Sequence, residues 1–292
     1  MRRKKKTKNS PKKCHELAYW MSHLPECLWT VPLFNLSLPG SHDAMTYSLD
    51  ETSTVSVNES KLLELMDKHM HWIIHPIVLR WCITQDVLWD ILRWLKAHPC
   101  EVVILAFRNF DGLEEDHHRH LVSCIKKIFC CRLCPRNVVP TLQHMWAHGY
   151  QVIASYEDIL QVALHNDLWP AIPYWWGNKT SAKNLIRYLE LKKRGGRSGG
   201  LFVAGINLTG DLTYILGHLH YSIKKMTLRA LPFLNRWIKK QRPGAEKDCI
   251  NIIAGDFIER SNFVRNVINL NEKLIPQEHC PNILPLLAFE KI

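Results

Sequence analysis

Residues 101–109 read EVVILAFRN, six consecutive apolar residues bounded by one acid and by the polar pair Arg108–Asn109. The run has the length of a strand and is too short for a helix of its own. It is continuous rather than alternating, so the expectation is a strand covered on both faces, as in a parallel sheet. Immediately before it, residues 86–98 carry Val87, Leu88, Ile91, Leu92 and Leu95 at helical spacing, and Pro99 stops the helix. Immediately after it, residues 113–129 form a second helix with His and Lys on the outer side. The same alternation continues through strands at 151–155, 200–206 and 250–254 and helices at 183–194, 231–240 and 264–274. Upstream, residues 61–70 are helical, with Leu62, Leu63, Leu65 and Met66 on one side. Strands that alternate with helices and end in polar residues define a parallel α/β fold with its site at the carboxyl ends of the strands.

Neither a GxGxxG fingerprint nor a Walker A loop is present, which excludes the common nucleotide-binding versions of that fold. The glycines of residues 195–200 precede a strand and read as a turn, so a barrel is the better assignment. A chain of 292 residues with 47% hydrophobic residues fits one barrel of roughly 250 residues with short extensions. The formal net charge is +11, and residues 1–13 hold eight Lys or Arg and no acid. Such a tail is a solvated arm or a contact for anionic head groups. A nucleic-acid role has no support beyond the tail.

No apolar core follows the basic residues as a signal peptide requires, and no apolar run reaches the ~18 residues of a membrane span. Ten irregularly spaced cysteines point to reduced thiols and a cytoplasmic protein. Cys130, Cys131 and Cys134 lie near His117, His118 and His120, but the spacing is wrong for a zinc finger. Asn58, Asn178 and Asn207 open formal glycosylation sequons, which are irrelevant in the cytoplasm.

The chemistry concentrates in residues 32–47, PLFNLSLPGSHDAMTY. A short strand over 33–38 is expected to run into a tight turn at Pro39–Gly40 that presents Ser41, His42 and Asp43. A histidine at a strand exit suits general acid/base work, and it equally suits a buried histidine that satisfies a turn. The longer stretch resembles the opening of the phospholipase C X domain, in particular of its small X-domain-only members. Further segments match in order: PIVLRWCITQ (76–85), AHPCEVVILAFRNFDGL (97–113), LCPRNVVPTL (133–142), LWPAIPYWWGN (168–178), GGLFVAGINLT (199–209) and NIIAGDFI (251–258). The resemblance covers residues 29–274. It divides the chain into a basic disordered tail (1–13), one X-type catalytic domain (14–275) and a C-terminal tail (276–292).

The resemblance implies a distorted TIM-like barrel that cleaves phosphatidylinositol in two acid/base steps. His42 would take the proton of the inositol 2-hydroxyl, and Asp256 would hold that imidazole in the right tautomer. Arg108, at another strand end, is either a contact for phosphate or inositol or one half of an ion pair at the rim. The family pattern then departs from this chain. After Trp-x-x-Thr-Gln, relatives supply a strand with an Asp-x-Arg pair and a further strand with a second histidine, the phosphorane clamp and the general acid. Here Thr84–Gln85 runs directly into Asp86 and the next helix, a gap of order 40 residues, since a βαβ unit needs about 30 or more. His69, His71, His75 and His98 offer no substitute. The expected barrel is therefore incomplete by about two strands, and its activity is expected to be weak or lost.

Two functions follow from the resemblance. One is a phosphoric diester hydrolase of the phospholipase C kind, acting on a phosphoinositide. The other is an inactive lipid-binding or interaction module whose basic tail and aromatics Trp169, Tyr174, Trp175 and Trp176 meet a membrane, unless those rings pack in the barrel rim. Relatives of this type use arginine where others use calcium, so no metal cofactor is expected, although Glu157 and Asp158 leave calcium open. The sequence carries no signal for oligomeric state.

Overall fold

A computed structural model describes residues 19–42, 81–110, 112–210, 223–258 and 261–275. The expected helix at 61–70, the histidines His69, His71 and His75, and both tails lie outside the described residues. In chain order the elements are β1 (Leu38–Ser41), α1 (Trp81–Ala97), β2 (Val103–Phe107), α2 (Glu115–Phe129), α3 (Leu142–His148), β3 (Val152–Tyr156), α4 (Ile159–Leu164), β4 (Leu168–Trp169), β5 (Tyr174–Trp175), α5 (Ala182–Gly195), β6 (Val203–Gly205), α6 (Ile223–Lys240), β7 (Ile252–Gly255) and α7 (Phe263–Ile268).

All ladders between these strands are parallel, and they form two sheets, β1-β7-β6-β5 and β2-β3-β4. On one side, α1 and α2 cover the three-stranded sheet with Leu88, Leu92, Leu95, Ile125 and Phe129. On the other, α5, α6 and α7 cover the four-stranded sheet with Leu185, Leu189, Leu234, Ile238 and Phe263. This is a TIM-like barrel opened at two seams. At the first seam Pro170 and Pro173 interrupt the chain between β4 and β5. Buried Ser155 bridges the break, its hydroxyl donating to Pro170 O (2.9 Å) and accepting from Ile172 N (3.2 Å). At the second seam β1 pairs with β7 and β2 with β3, and among the described residues neither pairs with the other.

That open seam corrects the reading of residues 101–107. The strand does form, but it is not buried on both faces: β3 is buried throughout, whereas β2 is half-buried with Ala106 exposed. An edge strand has a partner on one side only, and the apolar run that suits an interior position is left partly open.

The segment before His42 also differs from expectation. Residues Leu33–Asn35 form a 3-10 turn, and the strand lies further on, with Pro39 and Gly40 inside it. The displacement has a physical cause. Asn251 donates through Nδ2 to Leu33 O (2.8 Å) and Leu36 O (2.7 Å), which occupies the carbonyls a ladder would need. Pro39 is tolerated because β1 is an edge of its sheet. Gly40 lets the strands approach closely, since a Cβ there would press on Ile252 Cγ2 at 3.1 Å and Ala254 Cβ at 3.2 Å.

Two helices also depart from their expected bounds. Helix α6 begins eight residues before the expected start at 231 and continues through Pro232, because Met226, Ala230, Leu234, Trp237 and Ile238 hold one apolar stripe. The expected helix at 264–274 becomes 3-10 over Asn269–Leu274, where Asn271 turns inward to bond Ser37 N (2.7 Å) and Ser37 O (3.0 Å).

Candidate active site

Parallel register places the two central side chains side by side. Ser41 is level with Gly255, and His42 N extends the ladder by donating to Gly255 O at 3.1 Å. The next residue on each strand is therefore His42 on one and Asp256 on the other. His42 Nδ1 lies 3.2 Å from Asp256 Oδ1, with side-chain exposures of 18% and 7%. A carboxylate only accepts, so Nδ1 carries the proton of the neutral ring and Nε2 keeps its lone pair. An oriented general base requires a pair of this geometry.

Tyr174, in β5, brings the other strand ends to the same place. Its ring centre is 5.8 Å from that of His42, and the Arg108 guanidinium lies 5.7 Å from it on the cation side. The Tyr174 hydroxyl donates to Asn207 Oδ1 (2.9 Å), just past the end of β6. Room for this ring comes from Gly205, where a Cβ would stand 2.4 Å from Tyr174 Cε1 and 2.6 Å from Asn207 Oδ1. Asn207 is fully buried, and its Nδ2 has no hydrogen-bond partner among the described residues.

Of the two readings of Arg108, the ion pair at the rim is present. Arg108 Nε is 3.8 Å from Glu157 Oε1, and Nη1 donates to Ile172 O at 3.5 Å. Both side chains of the ion pair are about one-third exposed (32% and 38%), and pairs of that kind contribute about 0–1 kcal/mol. Arg108 is thus held loosely at the rim, beside the aromatic ring that also flanks His42.

Glu157 and Asp158, which left calcium open, have other tasks. Glu157 accepts from Asn109 N (2.6 Å) and faces Arg108, while Asp158 caps α4 through Gln161 N (2.9 Å). Among the described residues the potential metal-ligand cluster is not the cysteine–histidine group but Glu246, Asp248 and Cys249, and Arg242 bonds both of those acids. His118 is buried against Tyr156, its Nδ1 2.8 Å from the hydroxyl, and burial raises the Tyr156 phenol. His98 Nδ1 contacts Trp94 O at 2.5 Å, a helix-end role. Of the four aromatics considered for a membrane face, Trp169, Tyr174 and Trp175 are half-buried in the rim and Trp176 is exposed.

Tyr174, Asn207 and Gly205 are the site residues that sequence reasoning did not assign to the site. Their common signal is position, since each lies in or just beyond the carboxyl end of a strand.

The fold is that of a class, the parallel barrel of phosphatidylinositol phospholipases C. Phosphatidylinositol-specific phospholipase C from Listeria monocytogenes superposes with a TM-score of 0.59 at 18% identity, covering 87% of this chain and 98% of that one. A point mutant of the Staphylococcus aureus phosphatidylinositol-specific phospholipase C gives 0.51 at 12% identity, over 86% and 95%. At these identities the likeness is one of fold.

The family follows from sequence. PI-PLC X domain-containing protein 1 of Homo sapiens is 48% identical over 88% of this chain and 93% of its own length, and that of Danio rerio is 37% identical over 87% and 96%. The chain belongs to the family of PI-PLC X domain-containing proteins. No protein-family model matches it. The human alignment runs over 299 positions, yet 88% of 292 residues is about 257, so about 42 positions have no residue in this chain. That number is close to the gap of order 40 residues expected after Gln85.

Proposed function

We propose that this protein recognises the head group of a phosphoinositide at the rim around His42 and keeps only the base half of a phospholipase C site. His42 Nε2 takes the proton of the inositol 2-hydroxyl, Asp256 holds and stabilises the imidazolium, and Arg108 meets the phosphate from the Tyr174 side. The observation that carries this reading is the His42–Asp256 contact, made by adjacent strands that are far apart in sequence. What is lacking is the Asp-x-Arg pair and the second histidine. Without an acid to protonate the departing diacylglycerol oxygen, turnover is weak or lost. No step calls on a metal ion, and chelators leave the activity of the site unchanged. No helix among the described residues is long and apolar enough to cross a membrane. We place the protein in the cytoplasm, in peripheral contact with a lipid surface.

A second reading, an inactive lipid-binding module, draws its support from the same absent segment. A calorimetric titration with glycerophosphoinositol, a soluble head group, tests what the two readings share. Binding that weakens at least about ten-fold in both Arg108→Ala and His42→Ala is expected. Wild-type protein that ignores the head group refutes head-group recognition at this rim in either reading.

A further inference from the structure

Helix α4 is built inside out. Its inward face holds Val162 and the polar Gln161, which is fully buried with Nε2 donating to Glu115 Oε1 at 2.9 Å. Its outward face holds Ile159, Leu160 and Leu164, at 81%, 64% and 70% exposure. At the pitch of an α-helix these three fall within an arc of about 140°, opposite the buried pair. The helix is anchored in this orientation. Asp158 caps its first turn, and Arg136 donates to the carbonyl of Val162. Three aliphatic side chains on fewer than two turns are thus held in water by a helix that packs its polar residue inward, which marks a contact surface.

Helix α4 starts two residues after Glu157, the acid that faces Arg108 at the rim. A second strand end raises another apolar group on the same rim. Trp176, next after β5, is 52% exposed, and its indole N–H donates to Thr209 Oγ1 at 3.2 Å. An indole with a satisfied N–H and an open ring suits a lipid–water boundary. Lys224 Nζ, 6.0 Å from the ring of Phe257, adds a cation next to the residue that follows Asp256.

We infer that α4, together with Trp176, is the surface by which this protein docks on a phospholipid bilayer, with the aliphatics entering the acyl boundary. The inference rests on the reading of the rim as a head-group site. A diacyl lipid whose head reaches His42 keeps its tails in the bilayer, so the bilayer must lie against that rim. The charges around α4 are mixed: Arg136 bonds the Val162 carbonyl and Lys126 pairs with Asp167 beyond its end, while Asp158, and Glu114, Glu115 and Asp116 at the start of α2, are acidic, so no basic patch forms. Docking through α4 is therefore apolar insertion rather than attraction to anionic lipid, and it persists at high salt.

The test is co-sedimentation of the full chain with neutral phosphatidylcholine vesicles at low and high salt, beside the triple variant Ile159→Gln, Leu160→Gln, Leu164→Gln. All three positions face water, so the variant keeps the wild-type thermal melt and glycerophosphoinositol titration. Its partitioning should fall at least about ten-fold, with little effect of salt on the wild type. Wild-type protein that stays in the supernatant, or a triple variant that sediments as the wild type does, overturns the proposal. Sedimentation that depends on α4 in a protein that ignores the soluble head group refutes the head-group reading and upholds this surface.

Discussion

Replacing Asn251 by Ala should be among the most destabilising single changes outside the apolar core. The side chain is fully buried where β6, β7 and the N-terminal segment meet. It donates to Leu33 O at 2.8 Å and Leu36 O at 2.7 Å, and its Oδ1 accepts from Phe202 N at 3.2 Å. Alanine leaves Leu36 O and Phe202 N without partners and removes one of the two bonds that Leu33 O accepts, the other coming from Leu36 N. A buried orphan costs about 1–3 kcal/mol, against a net ~1 kcal/mol for a bond that is made, so the expected loss is about 3–6 kcal/mol. Against a typical total of about 5–15 kcal/mol, that is a large share of the stability. Equilibrium unfolding in urea should show a lower midpoint with an unchanged slope. Asn251→Asp should be no better, because it loses both donors and adds a buried charge beside two carbonyls. The exposed Asn137→Ala is the control, expected within about 0.5 kcal/mol of wild type. Asn251→Ala within about 1 kcal/mol of wild type would mean that the segment before β1 is not held in this way.

Gly205→Ala should cost about 1–3 kcal/mol and weaken head-group binding, because its methyl group overlaps the Tyr174 ring; unchanged stability and binding would place that ring elsewhere. Burial raises the Glu101 carboxyl above its usual 4.5, against the lowering effect of the Ser22 and Met21 N–H groups. The folded protein then holds this proton more tightly than the unfolded chain does. The contribution of Glu101 to stability is full below pH 4.5 and is lost as pH rises through the folded value. The stability of wild type relative to Glu101→Gln should fall across that window in a pH series of unfolding curves, and a rise would contradict the sign. The Cys134 thiol is buried and pushed up to about 12, so at neutral pH an alkylating reagent should label exposed Cys130 and Cys131 first. Mass spectrometry that finds Cys134 modified at the same rate would refute its burial.

The elements that pack on one clean face were legible in the sequence. The stripe of α1, with Leu88, Leu92 and Leu95 buried, and the fully buried strand β3 both lie where their periodicity puts them. The pairing of His42 with Asp256 was legible through the resemblance, and parallel register makes it geometric. What escaped is set by tertiary partners. An apolar run does not reveal whether its neighbouring strand is present, so β2 reads like an interior strand although it stands at an edge. The 3-10 turn before β1 depends on a side chain more than two hundred residues away, a contact that no local pattern encodes. Strands of two residues, such as β4 and β5, carry no periodicity at all, which is why Tyr174 read only as an aromatic of the rim. Helix α4 runs against amphipathic expectation, because its apolar face looks outward.

Cleavage of phosphatidylinositol in mixed micelles by the purified chain, beside its His42→Ala variant, tests the central claim most directly. Loss of an acid and of an arginine clamp costs at least about 10²-fold each, so the account predicts no turnover above that of the variant from folded protein that binds the head group. Turnover that vanishes in His42→Ala would contradict it, because some other residues would then be supplying the proton and the phosphate clamp.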